Sequence, residues 1–399
     1  ELNYYSQKNS VCNFYCLWNN QLYCYEDCND MFIKKIKNWD NEEQVVMFKV
    51  GSPTEDCGKA IYELDAEHLI YHDGKNLIVY TYESGNIEVK EHDIITISEN
   101  GMIIRTHYSY GSEVDIFVTN HCNSNCIMCP LSEYSRKKKS PQYNQWLMKY
   151  IQALPREVGF INVTGGEPTL AGEYFIDVMD TLREKFQKSG FQLLTNGRSA
   201  ADFRFLKNVL HHCPSGMLFA IPLHSCIPEI HDEITQSKGS FVQTDQGIKN
   251  LLKLNQRVEV RIVLSKVSIE TAEKTAKYII ENYKGITTVN FVAMEMMGNA
   301  VINREKVWID YDSIFVKIRT ANDQLIKNGF DVKLYNFPLC MIKKGYWYIA
   351  AKSISGYKIQ YQDDCLLCEA KDICGGFFSS TKKLMNPKVY PINRSELQL

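Results

Sequence analysis

The chain has 399 residues, enough for two or three domains. Apolar residues make up 45% of it and charged residues 23%, a composition that excludes a generally disordered protein. Its 45 basic and 47 acidic residues give a net charge of −2, which excludes a nucleic-acid binder with a strongly basic body, although not a local basic patch.

Residues 1–110 read as a β-rich domain. Short runs of β-branched and aromatic residues alternate there with the turn pairs Asp73-Gly74, Ser84-Gly85 and Asn100-Gly101. We expect these turns to join strands such as 77–82 and 94–97 into antiparallel hairpins.

Residues 111–335 repeat the order strand, loop, helix. The helices are expected at 143–154, 173–188 and 269–283, where apolar residues recur three and four positions apart. The repeated βα unit indicates an α/β fold with a parallel sheet, and six units predict a partial (β/α)6 TIM-type barrel. The six expected strands are 114–119, 160–164, 191–195, 217–223, 258–264 and 289–294.

Residues 336–399 lose this alternation and are rich in cysteine, glycine and aromatic residues. A segment of about sixty residues is too short for a good core of its own, so a bound cluster would help it to fold. We therefore expect a small C-terminal iron–sulfur domain.

Fourteen cysteines are the unusual feature of the composition. The sequence opens on Glu1 without a basic and apolar leader, and no apolar run reaches the roughly 18 residues of a membrane span. We therefore expect a cytoplasmic protein that binds no membrane. Because a reducing cytoplasm keeps thiols unpaired, clustered cysteines indicate metal or iron–sulfur ligands there.

The first expected strand is followed by three closely spaced cysteines, Cys122, Cys126 and Cys129. Three thiolates on one loop suit a four-iron cluster, since each binds one iron and the fourth iron keeps an open position. An open coordination position is what catalytic metals need. The spacing alone also fits a zinc site whose fourth ligand lies elsewhere, for example His121.

The second expected strand ends in Thr164-Gly165-Gly166-Glu167-Pro168, at the edge where barrel enzymes place their chemistry. The two glycines allow a close approach of a ligand to the backbone, and Glu167 can accept hydrogen bonds from an ammonium group. Alone, this motif is typical of a turn before a helix.

Together, the three cysteines and the Gly-Gly-Glu motif resemble the radical S-adenosylmethionine (SAM) superfamily over residues 111 to about 310. The resemblance implies that Cys122, Cys126 and Cys129 hold a [4Fe–4S] cluster whose open iron binds SAM. It implies further cofactor contacts along the barrel edge: Thr164, Gly165, Gly166 and Glu167 to the amine, Asn196, Gly197 and Ser225 to the ribose, and Arg261 and residues 294–297 to the carboxylate and adenine. Met128 stands where an aromatic residue is common and can pack against adenine.

The tail carries four more cysteines, Cys340, Cys365, Cys368 and Cys374. Four protein ligands would close a cluster completely and make it an electron relay or a substrate anchor, although the same four thiolates also suit a structural zinc knuckle. The tail resembles half of the auxiliary-cluster (SPASM/Twitch) domain of peptide-modifying radical enzymes. Phe378 stands where the second half would have a cysteine, so we expect one auxiliary [4Fe–4S] cluster.

A series of shorter segments over residues 85–385 is similar to the radical maturase of the His-Xaa-Ser system. It includes Asn196-Gly197-Arg198, Ile221-Pro222-Leu223-His224 and Cys374-Gly375-Gly376. The resemblance implies a ribosomally made precursor peptide as substrate, a partner maturase, a small accessory protein and a reductant such as flavodoxin or ferredoxin. A radical enzyme acting on a small molecule and a zinc-stabilised scaffold protein are the alternatives.

Three weaker patterns stay open. Cys12, Cys16, Cys24 and Cys28 could share a helical face and bind a metal, or be free thiols on a strand or helix. The run 136–139, Arg-Lys-Lys-Lys, predicts a solvated loop, with attraction of an acidic peptide or electron donor as the alternative. His224, His231 and Asp232 suit either substrate chemistry or helix capping and packing.

Overall fold

The computed structural model describes residues 111–137, 144–354 and 358–397; before residue 111 it describes nine strands and Asp93. Residue contacts divide the chain into two compact units. One comprises residues 1–116, 141–162 and 177–190, and the other comprises residues 117–140, 163–176 and 191–399. The domain boundaries expected at residues 110 and 335 stay a proposal.

The nine early strands form two sheets. Seven of them lie in one sheet, in the order β3-β9-β8-β4-β5-β6-β7, and β1 pairs with β2. The strands are β1 (Tyr15–Trp18), β2 (Gln21–Cys24), β3 (Phe32–Lys35), β4 (Val46–Val50), β5 (Ala60–Glu63), β6 (His68–His72), β7 (Leu77–Thr81), β8 (Ile94–Ile97) and β9 (Met102–His107).

Two of the three expected hairpins agree with this sheet. Strands β6 and β7 pair antiparallel, with His72 opposite Leu77, and β8 pairs antiparallel with β9. Ser84-Gly85 lies outside the described residues, and among the described strands β8 pairs with β4 and β9 rather than with β7. The pair β4 and β5 is parallel, so the sheet is mixed rather than antiparallel throughout.

A second sheet of eight strands, in chain order, forms the barrel region. Every strand pair from β12 to β17 is parallel. The strands are β10 (Glu113–Phe117), β11 (Phe160–Thr164), β12 (Gly190–Leu194), β13 (Leu218–Pro222), β14 (Arg257–Val263), β15 (Thr288–Val292), β16 (Val332–Tyr335) and β17 (Ala350–Ala351).

Helices separate successive strands of this sheet from β10 to β16, as a parallel order requires. They are α1 (Glu133–Lys137), α2 (Gln145–Ala153), α3 (Glu173–Lys185), α4 (Phe203–His212), α5 (Pro228–Thr235), α6 (Ser240–Lys253), α7 (Ala272–Asn282), α8 (Asn299–Ile302), α9 (Arg304–Val307) and α10 (Tyr311–Lys327). The expected α/β fold, a partial TIM-type barrel, is confirmed. The count of six strands was too low, because β16 has four residues and β17 only two.

The alternation of side chains along each strand determines which residues form the core. In β14, Val258, Val260 and Ile262 are fully buried on one face, whereas Glu259 and Arg261 lie on the other. The second face carries a polar group: Gln192 Nε2 donates to Glu259 Oε2 at 2.9 Å, and the Arg261 guanidinium pairs with the Glu259 carboxylate. Alternation thus gives the sheet an apolar face and a face that carries polar side chains.

The C-terminal tail is built from short elements: β18 (Ile359–Gln360), β19 (Phe377–Phe378), α11 (Ser379–Met385) and α12 (Arg394–Leu397). Phe377 packs edge-on against Tyr311 of α10, with ring centroids 5.6 Å apart. Met296 N donates to Thr381 Oγ1 of α11 at 3.0 Å. The tail therefore packs on the elements after β15.

None of the helices in the described part of the chain is both long and apolar enough to cross a membrane.

Candidate functional site

The cysteine loop follows β10 and is held by backbone hydrogen bonds to the end of α5. Asn125 N donates to Thr235 O and Ile127 N to Ile234 O, both at 2.9 Å. Ile127 is buried in an apolar cluster, whereas Cys122, Cys126 and Cys129 are only partly buried. The loop is thus anchored through the residues between the cysteines.

A second clamp on this loop comes from α8. Asn299 Nδ2 donates to Cys126 O and to Asn125 Oδ1, both at 2.9 Å, and Asn299 N donates to Cys129 O at the same distance. Gly298 adopts φ +57°, and a Cβ there would collide with Pro130 O. Asn303 Nδ2 adds a bond to Ile127 O at 3.0 Å. The sequence interpretation missed these residues, because a plain asparagine after a strand carries no local signal.

The two glycines of the second motif let the chain approach the cysteine loop rather than open space. A Cβ on Gly165 would collide with Thr119 O, and one on Gly166 with His121 O. Gly166 N donates to Thr119 O and Glu167 N to His121 O, both at 2.7 Å. In the structure these glycines allow the loop after β11 to approach the cysteine loop closely. Their expected close approach to a ligand stays a prediction.

The carboxylate of Glu167 is fully buried and accepts hydrogen bonds from three residues. Thr169 Oγ1 and Thr195 Oγ1 donate to Oε1 at 2.6 and 2.7 Å, and Asn196 N donates to Oε2 at 2.7 Å. Burial raises the pKa of this carboxyl group, while the hydrogen bonds oppose that change. Because a carboxylate offers about four acceptor positions, Oε2 retains capacity for another donor.

Asn196 and Arg198, at the end of β12, also contact the cysteine loop. Asn196 Nδ2 donates to Asn123 Oδ1 at 2.7 Å and lies 4.0 Å from Cys122 Sγ. The Arg198 guanidinium donates to Asn123 O and, at 3.0 Å, to Ser124 Oγ. The structure therefore brings Asn196 and Glu167 together with the cysteines.

Three other residues expected to contact the cofactor make contacts within the protein: Ser225, Arg261 and Met128. Ser225 is fully buried, and its Oγ accepts from Ile227 N and Thr271 Oγ1, both at 3.0 Å. Arg261 pairs with Glu259 and donates to Gln192 Oε1 at 3.2 Å. Met128 packs in an apolar cluster that includes residues 294 and 296. Their contacts with a cofactor stay predictions.

The three thiols fit a shared cluster by their chemistry. Burial raises the pKa of Cys122, Cys126 and Cys129, and in Cys126 the two other sulfurs raise the pKa further. Burial and mutual repulsion both disfavour the thiolate forms of these cysteines. They therefore need a nearby cation in order to ionise. Among the described residues, no group of three or more His, Cys, Asp or Glu side chains is arranged to hold one metal ion. That finding concerns single ions, whereas thiolates of a cluster bind separate irons.

The four tail cysteines line one recess, together with Tyr361, Lys371 and apolar residues. Leu339 N and Gly376 N donate to Cys374 Sγ at 3.4 Å, and Ile392 N donates to Cys368 Sγ at the same distance. Burial and, to a smaller extent, the other three sulfurs raise the pKa of Cys340 to about 11. Backbone N–H groups directed at sulfur suit thiolates that bind a cluster.

The three weaker sequence patterns have different outcomes in the structure. Cys16 and Cys24 lie on the paired strands β1 and β2, not on one helical face, while Cys12 and Cys28 lie outside the described residues. Asp232 caps α6 by accepting from Phe241 N at 2.8 Å, as the capping interpretation expects. The solvated-loop prediction was wrong for Arg136, which is only 9% exposed; Lys138 and Lys139 lie outside the described residues.

Part of the chain matches the model of a known family. Residues 116–279 match the model of the Radical SAM superfamily. A protein of Methanocaldococcus jannaschii, named as a glycyl-radical enzyme activating enzyme, is 22% identical over 249 residues, which are 49% of this chain and 65% of that protein.

Two solved structures are similar at lower identity. SuiB of Streptococcus suis is 16% identical, with a TM-score of 0.46 over 62% of this chain and 54% of SuiB. The protein anSMEcpe with bound AdoMet is 19% identical, with a TM-score of 0.45 over 55% of this chain and 61% of anSMEcpe. The match spans less than two thirds of each of these relatives.

Proposed function

We propose that this chain, which matches the Radical SAM superfamily model over residues 116–279, is a radical SAM enzyme that modifies a ribosomally made precursor peptide. The bound [4Fe–4S] cluster and SAM would supply a 5′-deoxyadenosyl radical, which removes a hydrogen atom from an unactivated carbon. The outcome would be a cross-link, an oxidation or an epimerisation of a peptide residue, in a reducing cytoplasm.

The observation that carries the proposal is the convergence of two loops at the same end of the sheet. Cys122, Cys126 and Cys129 would hold the cluster, and Glu167 would accept a hydrogen bond from the amine of SAM through the free position on Oε2. Asn196 and Arg198 keep the cysteine loop against β12. These contacts fix the site before a substrate arrives.

The peptide substrate is supported by the cysteine-rich tail and by the resemblance to the His-Xaa-Ser maturase. Cys340, Cys365, Cys368 and Cys374 line one recess and would hold an auxiliary [4Fe–4S] cluster. A cluster with four protein ligands has no open iron, so it would relay electrons or hold the peptide in place. A partner maturase, a small accessory protein and a flavodoxin or ferredoxin would complete the system.

The test uses the anaerobically purified chain, which should be brown and contain about eight irons. With dithionite and SAM it should form 5′-deoxyadenosine, and with a His-Xaa-Ser repeat peptide a product of altered mass. Cys126→Ala should abolish both signals, whereas Cys368→Ala should reduce peptide turnover far more than SAM cleavage. Cys213→Ala, at a buried cysteine outside both groups, is the matched control.

Three results would contradict parts of this proposal. A colourless, zinc-rich chain would favour a scaffold protein. SAM cleavage without any change in the peptide would favour a small-molecule substrate. Equal loss of cleavage and turnover in Cys368→Ala would argue against separate roles for the two cysteine groups.

A further inference from the structure

Arg136 is a buried cation beside the cysteine loop. It lies on α1 and is 9% exposed, while its neighbour Lys137 is solvent-exposed with 75% of its side chain accessible. The Arg136 guanidinium donates to Leu131 O at 2.7 Å, to Asn125 Oδ1 and to the thiol of Cys129. All three acceptors belong to the cysteine loop.

Arg136 has no carboxylate within ion-pair distance in the part of the chain that the structure describes. The nearby Glu133 is exposed and pairs with Lys137 at 2.6 Å. The buried Glu167 accepts from threonines 169 and 195 and from Asn196 instead. A buried charge without a counter-charge is unfavourable, so another anion is needed at this position.

The three cysteines of the contacted loop can supply this negative charge. As thiolates they would bring three charges to the loop that Arg136 contacts. We propose that Arg136 is the buried counter-charge of the cluster held by Cys122, Cys126 and Cys129, and that it raises the reduction potential of this cluster. The inference depends on the cluster of the proposed function.

The physical reason is electrostatic. Reduction adds an electron, hence a negative charge, to the cluster, and a fixed positive charge nearby stabilises the reduced form. Hydrogen bonds to a ligand sulfur act in the same direction, and both effects are stronger in a site with little solvent. Lys137 is exposed, so solvent and salt would screen its charge.

The test is a redox titration of the reconstituted full chain, followed by electron paramagnetic resonance. The signal that changes on addition of SAM identifies the cluster with the open iron. Arg136→Gln should lower the equilibrium constant for reduction at least about tenfold, which is 59 mV for a one-electron couple. Arg136→Lys keeps the charge and should stay near the wild-type potential, as should the control Lys137→Gln.

Each outcome decides the inference. A lower potential in Arg136→Gln alone supports it, and so does loss of the cluster in Arg136→Gln with retention in Arg136→Lys. A wild-type potential in Arg136→Gln overturns it, as does identical behaviour of the two Arg136 variants. A wild-type chain that takes up no iron overturns the proposed function itself.

Discussion

At the residue scale, the site depends on buried polar groups whose hydrogen bonds are supplied by neighbouring loops. Glu167 accepts from Thr195 and Asn196 after β12, and so connects the ends of two adjacent strands. Removing one partner of a buried carboxylate leaves an uncompensated charge, which costs more than the bond contributes. The same reasoning applies to buried histidines, which avoid the cost by staying neutral.

His224 and His231 give the first prediction, the pH dependence of stability. Burial lowers the pKa of His224 to about 3 and that of His231 to about 4, so both are neutral in the folded chain at pH 7. The unfolded chain binds their protons below pH 6.5, and the folded chain does not. Each histidine therefore lowers the free energy of unfolding by about 1.4 kcal/mol between pH 7.5 and 5.5.

His224→Met should remove the contribution of His224, because methionine does not bind a proton. In the described chain His224 Nδ1 has no hydrogen-bond partner, so the substitution breaks no bond of this atom. Urea unfolding at pH 7.5 and 5.5 should show a loss about 1.4 kcal/mol smaller in the variant than in the wild type. The exposed His211 is the control site, and His211→Gln should behave as the wild type. The same loss in His224→Met and the wild type would contradict this reading.

At the element scale, α8 is short but determines the conformation of the cysteine loop. Its first residue, Asn299, is 5% exposed and binds Asn125, Cys126 and Cys129, while Glu133 N donates to its Oδ1 at 3.1 Å. A four-residue helix has little stability of its own. It stabilises the cysteine loop through these hydrogen bonds and through the close approach to Pro130 that Gly298 allows.

Asn299→Ala should therefore weaken the loop without unfolding the chain. Loss of three side-chain hydrogen bonds of about 1 kcal/mol each predicts cluster loss to an iron chelator roughly 100-fold faster. The measurement is the decay of the brown absorbance under anaerobic conditions. Asn328→Ala, at the exposed end of α10, is the control, and equal decay of both variants would argue against the clamp.

The sequence predicts the elements with strong local patterns. The strands expected from 160–164 and 258–264 correspond to β11 and β14, because runs of β-branched residues at strand length are distinctive. Strands β16 and β17 were not predicted, since four and two residues carry too little periodicity. The three cysteines are recognisable by spacing, whereas Arg136 and Asn299 are not, because their partners are fixed only by the tertiary fold.

At the scale of the whole molecule, the tail and the later barrel elements form one compact unit. Tyr311 of α10 is 2% exposed and contacts both Phe337 and Phe377, with ring centroids 6.0 and 5.6 Å apart. Aromatic side chains of this size dominate the stability of a core. The tail thus covers apolar surface that the barrel would otherwise expose.

A chain that ends after residue 335 should lose this packing. Each lost phenylalanine contact resembles a large-to-small core change, which costs about 3–5 kcal/mol, so we expect aggregation or a broad unfolding transition by circular dichroism. A chain that ends after residue 393 lacks α12, which has no buried residue, and the last two residues, and should unfold like the full chain. A sharp, unshifted transition in the shorter chain would show that the tail is independent.

The clamp of Asn299 on Asn125 joins residues 174 positions apart. On a ribosome that adds about 5–20 residues per second, the cysteine loop emerges roughly 10 to 35 s before the asparagine that shapes it. During this interval the cysteine loop lacks the hydrogen bonds that Asn299 provides. If the loop binds a cluster as proposed, we expect iron and sulfide to be inserted after most of the polypeptide has been translated.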